Sequence, residues 1–180
     1  MSINSQGVEM ITVGNSKIRF VTIRKLAVKG FVVILASRNQ QESAQAIERI
    51  KAVTPDAIVG SIPLALASFE SVRQCVSIFL SKGYPLHILI NNAGGSVPGK
   101  QAKFTANGFE MTIGTNHLGH FLLTSLLLKD LKRNAPTQVI TVSSELQNSD
   151  QAGGSAPDFE YGNLKGEKYY RSQVFYRTLN

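Results

Sequence analysis

A chain of 180 residues, 43% of them apolar, can bury the core of one domain, which excludes a disordered or fibrous class. The net charge of +7 comes from basic residues scattered singly or in pairs, such as Arg24-Lys25 and Lys132-Arg133, with no run and no interleaved aromatics, which argues against a nucleic-acid binder. The lone Cys75 excludes a disulfide framework, fits a reducing compartment and, lying at helical spacing among Val72, Val76 and Phe79, reads as a core thiol rather than a nucleophile.

Taken in order, Val8 to Val13 reads as a short strand, and Phe20, Ile23, Leu26 and Ala27 then recur at helical spacing up to Gly30, a natural helix stop. Phe31 to Ala36 is a continuous apolar strand closing on Ser37-Arg38-Asn39. A helix from about Gln41 to Val53, with Ala44, Ile47 and Ile50 facing inward, ends before Pro55. Ala57 to Ile62 makes a third strand, and Ser68 starts a helix reaching Lys82-Gly83.

Leu86 to Gly95 dominates the chain. An apolar run stops at Asn91-Asn92 and a small flexible turn, as a strand buried on both faces of a parallel sheet ends at its working edge. Asn107 or Gly108 begins a long helix to about Asn134, which Pro136 breaks, and strand five runs from Gln138 to Val142, ending in Ser143-Ser144. Beyond it lies a loop rich in Gly, Ser, Asp and Asn, until a helix begins near Ser172.

Regular alternation of strands and helices predicts a right-handed, doubly wound parallel α/β sheet of Rossmann type, with about five strands and helices on both faces. Ligands of such sheets sit beyond the carboxyl ends of the strands, so Asn91, Asn92 and Ser144 are expected along one crevice. His117 and His120 share a helix face but have no acidic or thiol partner nearby, so they read as packing histidines and no metal site is expected. His87 has no evident partner. The longest apolar run, Phe121 to Leu128, is too short to span a bilayer, and Met1 to Gly7 lack the marks of a secretory signal. A soluble, cytoplasmic protein is the expectation.

Asn91-Asn92-Ala93-Gly94, Asn116 within Thr-Asn-His-Leu-Gly-His-Phe, and Ser143-Ser144 after strand five together resemble the short-chain dehydrogenase/reductase family. Gly108-Phe109-Glu110, Pro157-Asp158-Phe159 and Gly166-Glu167-Lys168-Tyr169-Tyr170 are similar to its retinol dehydrogenase and protochlorophyllide reductase-like branch. The resemblance implies hydride transfer between a nicotinamide and a carbonyl or alcohol carbon of a small-molecule substrate. It implies that Ser144 bonds the substrate oxygen, Tyr176 exchanges its proton, and Asn116 anchors a water in the relay. It assigns the cofactor to Thr12, Gly14, Asn15, Ser16, Ile18, Arg38, Asn39, Asn92, Ala93 and Gly94. Arg38, where an acidic residue would grip the ribose 2′-hydroxyl, favours NADP(H) over NAD(H).

The departures carry physical weight. Four residues after Tyr176 stands Asn180, not the lysine that would depress a phenol pKa of about 10. Val13, Lys17 and Arg19 occupy the three glycine places of the phosphate turn, with Gly14 displaced by one; forcing Val13 to positive φ would cost about 1–3 kcal/mol. Ala65 replaces an aspartate that would hold the adenine amino group. The resemblance also implies that the domain, residues 1–180, lacks the family's C-terminal substrate-binding segment. Three readings follow: an NADP-linked reductase with impaired turnover, a non-catalytic scaffold or interaction domain, and a basic protein using the crevice for nucleotides or RNA. Oligomeric state is left open.

Overall fold

A computed structural model describes residues 6–14 and 18–143, with positions 165 and 170; for 18–20 it describes the main chain alone. The strands are β1 (Val8–Val13), β2 (Val32–Ser37), β3 (Val59–Pro63), β4 (Ile88–Asn91) and β5 (Gln138–Thr141). Between them run α1 (Ile18–Val28), α2 (Gln40–Val53) and α3 (Phe69–Ser81). A further helical rod begins as α4 (Met111–Ile113), passes through a π-helical stretch (Gly114–Leu118) and continues as α5 (Gly119–Arg133). The described strands form one parallel sheet in the order β3-β2-β1-β4-β5. The chain leaves β1 towards β2 and β3, then returns to β4 on the other side. The carboxyl ends of β1 and β4 therefore flank the crevice of a doubly wound sheet.

Strand alternation distributes the core. Met10, Ile34 and Leu89 point to one face and pack with Phe79, Leu123 and Leu127 of α3 and α5. Ile11, Val33, Leu35 and Ile90 point to the other and pack with Ile23 of α1 and Ile50 of α2. Each large aliphatic or aromatic side chain so buried contributes about 1.5–3 kcal/mol, which is why these strands read as unbroken apolar runs. All four residues of β5 are exposed, and it forms an edge of the described sheet.

Helix starts follow local hydrogen bonding. Asn39 caps α2 by accepting the Glu42 N–H, and Ser68 caps α3 by accepting that of Ser71. The rod begins three residues later than the sequence pattern suggests. Gly108 sits at φ +77° in a turn closed by its N–H on the Thr105 carbonyl, and helix starts only where buried Glu110 accepts the N–H groups of Thr112 and Ile113. In α2, Ile47 and Ile50 face inward as expected, joined by Ser43, which bonds Ser37, while Ala44 is exposed. His87 has a partner after all: its Nδ1 accepts the Val8 N–H at 3.0 Å. The strain expected at Val13 does not arise, because no described non-glycine residue has positive φ and β1 stays extended through Val13. No helix among the described residues is long and apolar enough to cross a membrane.

One strand residue breaks the apolar pattern. Glu9, 1% exposed, pairs in register with Val33 and Ile88, and its Oε2 has no hydrogen-bond partner among the described residues. Burial pushes its carboxyl up from 4.5 to about 7, so the folded state holds the proton that the unfolded chain releases. Below the lower value both states are protonated and burial carries no ionisation penalty; stability contributed by Glu9 is then lost as pH rises from 4.5 through 7. His120, whose pKa burial lowers, acts in the opposite sense, so the difference between wild type and Glu9→Gln isolates the carboxyl. Urea unfolding at pH 5 and pH 8 should show Glu9→Gln gaining stability over wild type at the higher pH, and equal differences at both would contradict the account.

Candidate functional site

The site is built on Thr12, fully buried near the end of β1. Its hydroxyl accepts the main-chain N–H groups of Asn92 and Ala93, each at 2.9 Å, and its carbonyl accepts the Asn92 Nδ2 at 3.2 Å. The two strand ends that flank the crevice are thereby stapled together. The same hydroxyl lies 2.8 Å from His120 Nε2, while His120 Nδ1 lies 2.9 Å from the Asn116 carbonyl. Asn116 sits within the π-helical stretch, a feature often found at functional sites. Its carboxamide pairs twice with Gly95: Nδ2 donates to the Gly95 carbonyl at 3.1 Å and Oδ1 accepts the Gly95 N–H at 3.2 Å.

Glycines let this stretch approach its supports. A Cβ at Gly114 would collide with the Thr105 methyl, and one at Gly119 would lie 2.5 Å from the Leu66 carbonyl oxygen. On the strand side, a Cβ at Gly14 would lie 3.3 Å from the Gly94 nitrogen, so the turns after β1 and β4 nearly touch through their backbones.

These elements enclose a cleft of about 340 Å³. Of the residues singled out from sequence, Gly14, Arg38, Asn39, Ala93, Gly94 and Asn116 line it together. Leu64, Ala65, Leu66 and Ala67 form an apolar wall. Thr12 and Asn92 lie behind the cleft as its framework, since both side chains are spent on the β1–β4 staple. Asn91 is not in the crevice. It is 5% exposed and its Nδ2 donates to Thr124 Oγ1 at 3.0 Å, because alternation along β4 turns it towards α5. Asn15, Ser16, Ser144 and Tyr176 lie outside the described residues, as does the helix expected from Ser172; of Ile18 only its place at the start of α1 is described.

Three residues that sequence reasoning missed organise the walls. His120 is one. Glu110, fully buried, is the second: beyond capping the rod it accepts the Thr112 hydroxyl and the Tyr170 hydroxyl at 3.1 Å. Tyr170 is the third, with its hydroxyl also 3.4 Å from the carbonyl of Val97, a cleft residue. Burial and the Glu110 charge push its phenol up to about 12, so the hydroxyl stays protonated at neutral pH and tethers Tyr170 to Glu110. The spacing of Asn116 and His120, four apart on one helix face, and the acid immediately before a helix were the available signals.

The cleft fits a dinucleotide cofactor in kind: a glycine-lined floor that backbone can approach, an arginine and an asparagine at the end of β2, and an apolar wall for a base. Residues 8–156 match the short chain dehydrogenase family. The chain is 40% identical to mouse (Mus musculus) retinol dehydrogenase 11 over 169 residues, covering 94% of this chain and 51% of that protein. It is 39% identical to the chloroplastic protochlorophyllide reductase of Pisum sativum over 166 residues, covering 89% and 41%. A crystal structure of a Mycobacterium Paratuberculosis protein superposes with TM-score 0.74 at 34% identity, covering 96% of this chain and 57% of that one. The chain thus spans about half the length of the curated relatives it matches.

Gly119→Ala tests the close approach. Helix propensity alone would favour alanine, but the added methyl meets the fixed Leu66 carbonyl, so the variant should be less stable by about 1–3 kcal/mol in urea unfolding. A neutral or stabilising substitution would show that the rod is free to move outward.

Proposed function

Because the chain belongs to the short chain dehydrogenase family, within its retinol dehydrogenase and protochlorophyllide reductase-like branch, we propose that it is an NADP-dependent oxidoreductase acting between carbonyl and alcohol, with impaired proton transfer. The observation that carries this reading is the cleft at the β1/β4 switch point where Arg38 shares the lining with Gly94 and Asn116. When bound, the nicotinamide supplies or accepts the hydride. The protein's own residues bind, orient and move the proton. Arg38 pairs with the 2′-phosphate, Asn39 flanks it, and the Ala93–Gly94 backbone permits close approach of the dinucleotide. Ser144 donates to the substrate oxygen, Tyr176 exchanges its proton, and Asn116 anchors a water in the relay.

Asn180 sets the limit on turnover. A phenol without an adjacent cation titrates near pKa 10, and a mistuned acid costs on the order of 10²-fold in rate. That asparagine, with Val13, Lys17 and Arg19 in the phosphate turn, also favours a second reading: a domain that keeps the sheet and serves as a scaffold or interaction module without catalysis.

Titration of NADPH by its fluorescence tests the first reading. Saturable binding should weaken about tenfold in Arg38→Ala, as loss of one charge-assisted pair demands, while NADH affinity changes little. Absence of saturable binding would favour the scaffold. With cofactor bound, Asn180→Lys should raise carbonyl reduction, and a rate of zero in both proteins would contradict the account of the defect.

A further inference from the structure

We infer that His120 is a positioning residue, which fixes the turn after β4 and the Asn116 carbonyl relative to one another from behind the cleft. This rests on the proposed function only in naming the cleft's ligand as NADPH; the geometry stands without it. His120 is 5% exposed and its ring ties the helical rod to β1. One nitrogen faces Thr12 on β1 at 2.8 Å, and the other faces the Asn116 carbonyl at 2.9 Å.

The proton positions on this bridge follow from the partners. A carbonyl oxygen only accepts, so Nδ1 carries a hydrogen and donates it to Asn116. Burial disfavours the imidazolium; the bond to the Asn116 carbonyl opposes it and His117 adds to it, with a net lowering of the pKa. With two main-chain N–H groups already donating to the Thr12 hydroxyl, a third donor at Nε2 has no lone pair to meet, so the ring is neutral and Nε2 is bare. Nε2 must then accept the Thr12 hydroxyl proton. Thr12 is left with its oxygen lone pairs for the Asn92 and Ala93 N–H groups, which donate to it. The hydroxyl's other acceptor, the Ile90 carbonyl, is farther off at 3.4 Å. The bridge therefore has a direction, from the Ala93 and Asn92 amides into Thr12, from Thr12 into His120, and from His120 into Asn116. Only a neutral imidazole protonated on Nδ1 completes it.

A residue that merely packed here would satisfy neither nitrogen. Replacing His120 by leucine keeps an apolar side chain in the helix but removes the imidazole donor to the Asn116 carbonyl and frees the Thr12 hydroxyl to rotate to Ile90. The Asn92–Gly95 turn and the π-helical stretch then keep only the Asn116–Gly95 amide pair between them.

The test uses the isotopically labelled full chain. Ring ¹⁵N shifts should identify His120 as the neutral, Nδ1-protonated tautomer, in wild type and in Thr12→Ser, which preserves the hydroxyl. Hydrogen exchange at the Asn92 and Ala93 amides should quicken roughly five- to tenfold in His120→Leu and Thr12→Val, the weight of about one hydrogen bond, and return to near wild type in Thr12→Ser. Amides of β2, which the bridge does not reach, should stay protected, separating this effect from general loss of stability. An Nε2-protonated ring, or exchange at Asn92 and Ala93 unchanged in His120→Leu, would overturn the inference. In the same variants NADPH affinity should fall alongside the exchange. Wild-type protein with the Nδ1 tautomer and the exchange pattern but no NADPH binding would support the bridge and count against the proposed function alone.

Discussion

The staple between Thr12 and the Asn92–Ala93 main chain holds the rest of the site in place. A parallel ladder ends at the crevice, and the last residues of adjacent strands have N–H groups with no further strand to bond. Here one hydroxyl takes two of them, and one carbonyl takes the Asn92 carboxamide. Buried donors left open would each cost about 1–3 kcal/mol, so the arrangement both closes the ladder and fixes where the two turns diverge. The close passage of Gly14 beside Gly94 follows from it, as does the floor of the cleft.

The opposite wall depends on the rod at residues 111–133 approaching closely enough. Glu110 starts it with a doubly accepted cap, Gly114 clears Thr105, and Gly119 rests against Leu66. The extra residue per turn of the π-helical stretch lies in the segment between those glycines, where Asn116 reaches Gly95. Asn116 thus holds the turn in addition to any role towards a substrate, its half-buried carboxamide paired through both its oxygen and its nitrogen with Gly95.

Much of this was legible in the residues. Unbroken apolar runs ending in serine or asparagine mark β2 and β4 because both sheet faces are covered, whereas Glu9 and Thr12 interrupt the run of β1; Asn39 and Ser68 mark helix starts because their side chains accept the N–H groups three residues on. The parallel, doubly wound sheet follows from the alternation of strands and helices, while the order of its strands came from the structure. What escaped was everything set by long-range partners. Periodicity predicts helix from Asn107, yet a turn at Gly108 and the Glu110 cap decide the boundary. Asn91 reads like Asn92 in sequence, but strand alternation sends one to α5 and the other to β1. His120 reads as packing because its partners lie 108 residues away on β1 and within its own helix. The glycine replacement at Val13 also reads as strain that the extended strand avoids.

The central claim is that the cleft between the β1 and β4 ends receives a nicotinamide dinucleotide phosphate. Amide chemical-shift mapping during NADPH titration tests it most directly. The account predicts that perturbations concentrate at Gly14, Arg38–Asn39, Ala93–Val97 and Thr115–Asn116, with the opposite, amino-terminal end of the sheet around Gly83–Leu86 and Asn134 unmoved. Shifts centred on that opposite end, or spread evenly over the surface, would contradict it.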